Sequence, residues 1–146
     1  MKRSPAQNYA LVIGAALTIA GIVGFFYSSS FGKPGHTDAV LGVLDVNGWH
    51  NLVHLLTGLA GLAVARSYSG ARRYAIWFGA LYAAIAIYGF ALGDGESIFG
   101  IVPVNSEDNV LHSLLALAGL AAGLGTSPVP RPSLASAEPG PGFRFD

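Results

Sequence analysis

The sequence has no cysteine and little charge. None of its 146 residues is Cys, and only 11% are Asp, Glu, Lys or Arg. Without Cys there are no disulfides, thiolate metal sites or thiol nucleophiles. A soluble domain usually carries about 25% charged residues, so this composition points away from an aqueous environment. The net charge is zero, and no basic footprint predicts nucleic-acid binding.

Motifs of hydrolytic and nucleotide-dependent enzymes are also missing. The chain contains no Gly-x-Ser-x-Gly element and no Gly-rich phosphate loop. Its acidic residues near the second and fourth apolar segments are typical of a solvated rim rather than of a buried carboxylate pair. The sequence therefore favours a protein that is not an enzyme, with no catalytic residue to nominate.

Long hydrophobic runs are what the sequence does have. Four of them lack charge: Tyr9–Tyr27, Trp49–Ala65, Tyr74–Leu92 and Val110–Gly125. A helix needs about 20 mostly apolar residues to cross the hydrocarbon core of a bilayer. The second and fourth runs approach that length when their polar Asn/His ends are included. The pattern predicts an all-α integral membrane protein, a four-helix bundle in contact with the lipid bilayer.

The basic residues predict the orientation of these four spans. They lie at the amino terminus, in the central connection and in the tail: Lys2, Arg3, Arg66, Arg72, Arg73, Arg131 and Arg144. The other two connections are mostly acidic and hold only Lys33. By the positive-inside rule, both termini and the central connection are predicted to be cytoplasmic.

One helical hairpin occurs twice in the chain. Tyr9–Phe25 aligns with Tyr74–Phe90 at a spacing of 65, and Gly42–Ala63 aligns with Gly100–Ala121 at a spacing of 58. Each copy holds two spans, so both copies cross the membrane in the same sense. Short connections then favour an up-down-up-down bundle in which the second and fourth helices are diagonal.

The repeat defines the predicted domain organisation. A four-span domain covers residues 1–125, with repeat one at 9–65 and repeat two at 74–125. The remaining residues, 126–146, are rich in Pro, Ser and Ala, which is typical of a disordered tail.

Each repeat carries an Asn-x-x-His pair where its second span begins. Asn51 and His54 in "VNGWHNLVH" match Asn109 and His112 in "VNSEDNVLH". Polar side chains in hydrocarbon normally turn toward protein or trapped water. The diagonal arrangement then predicts that the two pairs face each other across the bundle axis.

The simplest function of these pairs is structural. Asn51 would bond to His112 and Asn109 to His54 across the bundle, with no cofactor involved. Interhelical hydrogen bonds of this kind contribute about 0.6 kcal/mol on average in a membrane protein.

A second interpretation is a haem b site. His54 and His112 could bind one iron axially from diagonal helices, with Asn51 and Asn109 beside them. Glycines on the flanking helices would then admit the macrocycle.

A third interpretation is a divalent metal site. His50, His54, Asp108 and His112 offer three imidazoles and a carboxylate, a set suited to zinc or copper. Both His50 and Asp108 also occupy the third position after a predicted Asn cap, where they have a structural role without any metal. Lipid or quinone binding, proton relay and pigment ligation remain open alternatives.

The motifs "NLVHLLTGLAGL" and "NVLHSLLALAGL" resemble those of a bacterial family of small four-helix membrane proteins, classified as a domain of unknown function. The resemblance implies a bacterial inner-membrane location and a four-span fold, and it implies no activity. Together with the composition it favours a non-enzymatic membrane component, a small subunit or partner of a larger complex or a homo-oligomer. The alternative is a haem- or metal-binding redox or sensor protein that uses His54 and His112.

Overall fold

The architecture is four α-helices joined by short connections. A computed structural model of the protein describes residues 2–32 and 38–128. Within them the helices are α1 (Pro5–Tyr27), α2 (Gly48–Val64), α3 (Tyr68–Leu92) and α4 (Ser106–Leu124). The predicted helical architecture is confirmed. By length and composition, α1 and α3 are long and apolar enough to cross a membrane.

The sequence analysis did not predict the two small β-hairpins at one end of the bundle. They consist of β1 (Asp38–Val40) with β2 (Leu44–Val46), and β3 (Ser97–Ile98) with β4 (Val102–Pro103). We call this end of the molecule the hairpin end. Both pairs are antiparallel, and each connects the two helices of one repeat.

Both β-hairpins turn through two successive left-handed residues. These are Leu41 and Gly42 in the first hairpin, with φ of 55° and 71°. The equivalent residues of the second are Phe99 and Gly100, with φ of 53° and 71°. Two positive φ values match the right-handed twist of the flanking strands, and Gly adopts the second at no steric cost. The duplication therefore extends to the conformation of the connections.

Polar side chains determine where the helices begin. Ser4 and Gln7 form a reciprocal capping box at the start of α1, and Ser67 caps α3. Asn47 accepts a hydrogen bond from the backbone N–H of His50, and Asn105 accepts one from the backbone N–H of Asp108. The caps of α2 and α4 are the ones expected from the sequence.

The same two Asn side chains also join the repeats to each other. Nδ2 of Asn47 donates to the carbonyl of Ile101, 2.5 Å away, in the second hairpin. Nδ2 of Asn105 donates to the carbonyl of Val43, 2.7 Å away, in the first. Donor and acceptor of one bond are each 58 residues from their counterparts in the other. Each repeat therefore donates one hydrogen bond to the other repeat at the hairpin end.

Glycines allow the two helices of each repeat to pack closely. A Cβ added to Gly14 of α1 would lie 2.9 Å from the backbone nitrogen of Leu62. A Cβ added to Gly79 of α3 would lie 2.8 Å from that of Leu120. No larger residue fits at these crossings without moving a helix, which is the usual role of small residues between membrane helices.

Two tyrosines join the repeats in the middle of the bundle. The Tyr9 hydroxyl donates to the carbonyl of Leu115 at 2.8 Å, and the Tyr74 hydroxyl donates to the carbonyl of Thr57 at 3.1 Å. Each tyrosine begins one repeat, and each acceptor lies on the second helix of the other repeat. The bundle thus has approximate twofold symmetry.

Beyond α4 the described chain continues to residue 128. Thr126 is buried, its hydroxyl accepts from the N–H of Ala6 at 3.0 Å, and its carbonyl accepts from Arg72 Nε at 2.7 Å. These bonds tie the end of α4 to the starts of α1 and α3. The rest of the predicted tail, 129–146, and the loop residues 33–37 lie outside the described residues.

Candidate metal centre

Three histidines meet near the hairpin end of the bundle. His50 and His54 come from successive turns of α2, and His112 comes from α4. One ring nitrogen from each lies within 4.8 Å of the other two. The ring centroids of His54 and His112 are 6.3 Å apart, and those of His50 and His54 are 4.4 Å apart. All three side chains are buried, as metal ligands in a closed site would be.

A backbone carbonyl sets the tautomer of His50. Nδ1 of His50 lies 2.8 Å from the carbonyl oxygen of Asp45 on β2. Because a carbonyl only accepts, Nδ1 must carry the proton, and Nε2 of the neutral ring is left with a free lone pair. This is the supporting contact that metal-binding histidines commonly make through their second nitrogen.

Nε2 of His50 lies within hydrogen-bond distance of a second imidazole nitrogen, so in the metal-free chain it can accept from a protonated Nε2 of His54. Nε2 of His50 lies 3.2 Å from Nε2 of His54. Two nitrogens bound tetrahedrally to one zinc ion at about 2.0–2.1 Å are separated by roughly 3.3 Å. The two side chains of α2 are therefore spaced as one edge of a tetrahedral metal site.

His112 contributes a nitrogen that nothing else uses. Within the described ranges, its buried Nδ1 has no hydrogen-bond partner. Leaving a buried polar atom unpaired usually costs about 1–3 kcal/mol, so a bound ion would stabilise this nitrogen. Among the described residues, the buried Oδ1 atoms of Asn51 and Asn109 also lack a partner. Tyr82 of α3 packs edge-on against the His112 ring, with centroids 5.1 Å apart, and limits its rotation. The cluster thus has a fixed ring on α4 opposite the pair on α2.

Asp108, the fourth predicted metal ligand, lies close by but outside the three-histidine group. Together with His50 and His54 it lines a cavity of about 170 Å³ between α1, α2 and α4. Its Oδ2 is buried, with no hydrogen-bond partner among the described residues. Asp108 lies two residues before Val110, where the fourth apolar run begins, and is therefore outside the predicted membrane span. Burial, with smaller contributions from the charges of Asp45 and Glu107, raises the pKa of this carboxyl to about 7.

The two asparagines of the predicted site point elsewhere. Nδ2 of Asn51 donates to the carbonyl of Ser28 at 2.8 Å, at the end of α1. A Cβ on Gly24 would overlap Oδ1 of Asn51, and a Cβ on Gly89 would overlap Oδ1 of Asn109. Each asparagine therefore fills the space that a glycine leaves on the neighbouring helix of its own repeat.

This placement corrects the structural interpretation of the Asn/His pairs. The predicted bonds from Asn51 to His112 and from Asn109 to His54 are absent from the described part of the chain, where Asn51 bonds within repeat one. The histidines face the bundle axis while the asparagines three residues earlier face the sister helix. The Asp45 carbonyl and Tyr82 were not anticipated, because no pattern in the sequence links either of them to a histidine.

The comparisons with known proteins return one match. A family model described as a domain of unknown function, DUF4383, matches residues 7–125, which include both repeats and all three histidines. Neither the curated proteins nor the solved structures give a match. Because the family model covers most of the chain, the protein belongs to the DUF4383 family.

Proposed function

We propose that this protein is a four-span membrane protein that binds one divalent transition-metal ion, zinc or copper, through His50, His54 and His112. The observation that carries the proposal is the convergence of three buried imidazoles whose ring nitrogens lie within 4.8 Å of one another. Neutral imidazole suits both metals, and a site without thiolates fits a chain without Cys.

The distribution of side chains supports the membrane part of the proposal. The buried residues of α2 include no large aliphatic side chain: Gly48, His50, Asn51, His54, Gly58 and Gly61. Large apolar side chains lie outside instead, with Phe26 85%, Trp77 75% and Ile87 72% exposed. A soluble bundle has the opposite distribution. A lipid environment would cover these side chains and keep the polar groups inside.

The location follows from the same proposal. Arg66 lies between α2 and α3, and Arg72 and Arg73 lie near the start of α3. By the positive-inside rule, these basic residues support a cytoplasmic location for this end of the bundle and for both termini, in a bacterial inner membrane. The hairpin end, with its acidic connections, then faces the outside. The metal centre would lie just below that outer surface, within reach of ions from the periplasmic or external side.

The geometry favours a bare ion over haem. An axial histidine directs one nitrogen at the iron, and the macrocycle lies across that bond. Nε2 of His54 already faces Nε2 of His50 at 3.2 Å. The His50 ring therefore occupies space that a macrocycle between His54 and His112 would need. Three converging nitrogens match a compact ion with three protein ligands.

The role as a subunit of a larger complex remains a prediction. It is motivated by the Gly and Ala surface that four short helices offer to a partner. The helix glycines Gly14, Gly21, Gly24, Gly58 and Gly79 instead meet other helices of the same bundle. The glycine faces are thus occupied within the chain, whereas exposed alanines such as Ala16, Ala20 and Ala80 leave some small-residue surface for a partner.

Metal binding can be tested on the full-length protein in detergent. After chelator treatment and dialysis against Zn²⁺ or Cu²⁺, we expect one ion per chain by elemental analysis. His54→Ala and His112→Ala should each abolish binding, because each removes one of three ligands. His36→Ala, which removes the one histidine outside the proposed set, is the control and should bind like the unaltered protein.

Two results would contradict the proposal. Metal content unaffected by both His54→Ala and His112→Ala would show that any bound ion lies elsewhere. A Soret band that is present in protein purified from its native membrane and lost in both variants would show that His54 and His112 bind haem instead of a bare metal ion. X-ray absorption of the zinc-loaded protein provides an independent check, with nitrogen neighbours expected at about 2.0–2.1 Å.

A further inference from the structure

A second and larger cavity opens beside the three histidines. It has a volume of about 340 Å³ and lies between α2, α3 and the β3–β4 hairpin. His50, His54 and His112 all line it, so the proposed metal centre lies in its wall. The remaining lining is apolar apart from the Tyr82 hydroxyl and includes Val53 and Ile85. An apolar pocket with a few convergent polar groups is the usual form of a small-molecule site.

The cavity opens onto the apolar outer surface of the bundle. Two of its lining residues, Leu81 on α3 and Phe99 in the second hairpin turn, are 51% and 82% exposed. Leu81, in the middle of α3, belongs to the surface that would contact lipid in the proposed membrane orientation, and Phe99 would lie at the outer boundary of the bilayer. A ligand would therefore enter past apolar side chains from the bilayer, which selects a molecule that is itself mostly apolar.

The metal centre determines the chemistry of the other end of the ligand. Three neutral imidazoles around a divalent ion leave two positive charges beside apolar walls, which is unfavourable without an anion. A metal held by three protein ligands also keeps a position open. The nearby carboxylate of Asp108 lines the smaller cavity, not this one. A carboxylate that enters the larger cavity with the ligand would supply this anion in place of a metal-bound hydroxide or Asp108.

We infer that the larger cavity binds a single-chain carboxylate from the membrane, a fatty acid of short to medium length. Its carboxylate occupies the open position of the metal, and its chain lies along Val53, Leu81 and Ile85. The volume is near the lower end of the range for ligand pockets, which suits one chain better than two. This inference rests on the proposed metal site.

Cobalt provides a direct readout of the open position. The full chain is loaded with Co²⁺ in phosphatidylcholine nanodiscs, and Co²⁺ binding is measured first. Octanoate, acetate and octanol are then titrated while the visible Co²⁺ spectrum is recorded. Octanoate should shift the spectrum at a concentration at least about tenfold below acetate, because burial of its chain adds affinity. Octanol, which lacks the carboxylate, should leave the spectrum unchanged.

Variants that fill the cavity separate chain binding from partition into lipid. Leu81→Trp and Ile85→Phe should keep Co²⁺ affinity and acetate response while octanoate weakens by about tenfold, roughly the effect of excluding two methylene groups. Leu117→Trp, an equally bulky change at an exposed position of α4 outside the cavity, should respond like the unaltered chain. The same lipid surrounds all variants, so partition is constant.

Four outcomes would overturn the inference. Octanoate and acetate could shift the spectrum at equal concentrations, or octanoate could fail to shift the spectrum of bound Co²⁺. Both results would show that the metal site binds Co²⁺ but that the cavity does not bind a fatty acid. Octanoate could act only in Asp108→Asn, which would show that Asp108 occupies the open position. Failure of Co²⁺ to bind at all would be seen before any titration and would remove the proposed function together with this inference.

Discussion

The two repeats perform the same structural tasks with equivalent residues. Tyr9 and Tyr74 each donate to a carbonyl on the second helix of the other repeat. Asn47 and Asn105 each cap a helix and reach across to the opposite hairpin turn. These two kinds of contact between the repeats are thus made in symmetric pairs, which is what duplication of one hairpin would produce.

The repeats differ at one position that matters for the metal centre. His50 and Asp108 both follow an Asn cap by three residues and are equivalent under the spacing of 58. His50 joins the three-histidine group, whereas Asp108 does not. His54 and His112 supply one equivalent ligand from each repeat. The duplicated positions therefore build a symmetric frame, and one unequal position gives the site its third nitrogen.

Making the repeats identical at that position should have the largest effect. His50→Asp replaces an imidazole ligand and also removes the bond to the Asp45 carbonyl. We expect zinc affinity to fall by more than about 100-fold, beyond the 10- to 100-fold that loss of a supporting contact alone causes. Competition with a chelating dye measures the change.

The reverse change is the matched control. Asp108→His also makes the repeats identical but keeps every proposed ligand, so binding should persist within about tenfold of the unaltered protein. Equal losses in His50→Asp and Asp108→His would mean that the two positions contribute alike. The asymmetry described above would then have no bearing on metal binding.

The same unequal position should make stability depend on pH. The pKa of Asp108 is raised from 3.8 to about 7 in the folded chain, so the fold favours the protonated acid. Its stabilising contribution is complete below about pH 4 and is lost as pH rises through 7. Between pH 5 and 8, metal-free protein should lose about 2–3 kcal/mol relative to Asp108→Asn.

The comparison of these two proteins isolates Asp108 from the histidines, which titrate in both. Thermal unfolding in detergent, recorded at several pH values, measures the difference. Asp45 and Glu107 contribute to the shift through their charges, so Glu107→Gln should reduce the effect slightly. Parallel pH profiles for the unaltered chain and Asp108→Asn would show that the carboxyl ionises freely in the folded state.

Adding a methyl group where an asparagine packs should destabilise both repeats alike. Gly24→Ala would overlap Asn51, and Gly89→Ala would overlap Asn109. Overpacking of this kind typically costs about 1–3 kcal/mol. Unfolding in SDS measures each cost, and Asn51→Ala should relieve most of the first because it removes the overlapping atoms. If the double variant Gly24→Ala/Asn51→Ala is still destabilised by the full amount, the loss of stability comes from displacement of the helix backbone and not from overlap with Asn51.

The sequence predicts the helices and where they begin better than it predicts side-chain directions. Apolar length and the caps Asn47 and Asn105 predict where α2 and α4 begin, because both signals are local. Asn51 and His54 are three residues apart and share one broad face, yet they point to different neighbours. Which neighbour each one meets depends on the rotation of α2 and on the glycine at position 24, neither of which the spacing encodes.

The β-hairpins and the larger cavity were beyond prediction for a similar reason. Strands of two or three residues are too short to show an alternating pattern. The turn at Leu41 requires a left-handed residue where the sequence offers no Asn or Asp to indicate it. The cavity arises where α2, α3 and a hairpin fail to meet, so it reflects the packing of three elements rather than any one segment.

The smallest expected effect tests whether the two symmetric tyrosines share their task equally. Tyr9→Phe and Tyr74→Phe each remove one hydroxyl and leave the ring contacts between them in place. Each should cost about 0.6–1 kcal/mol, the usual contribution of such a bond. Both bonds are partly buried, so the two costs should be nearly equal. Unfolding in SDS of both variants and of the double variant measures this; additive and nearly equal costs fit two equivalent bonds. If only one of the two variants is destabilised, only one of the two tyrosine hydrogen bonds contributes to stability, although the two have similar geometry.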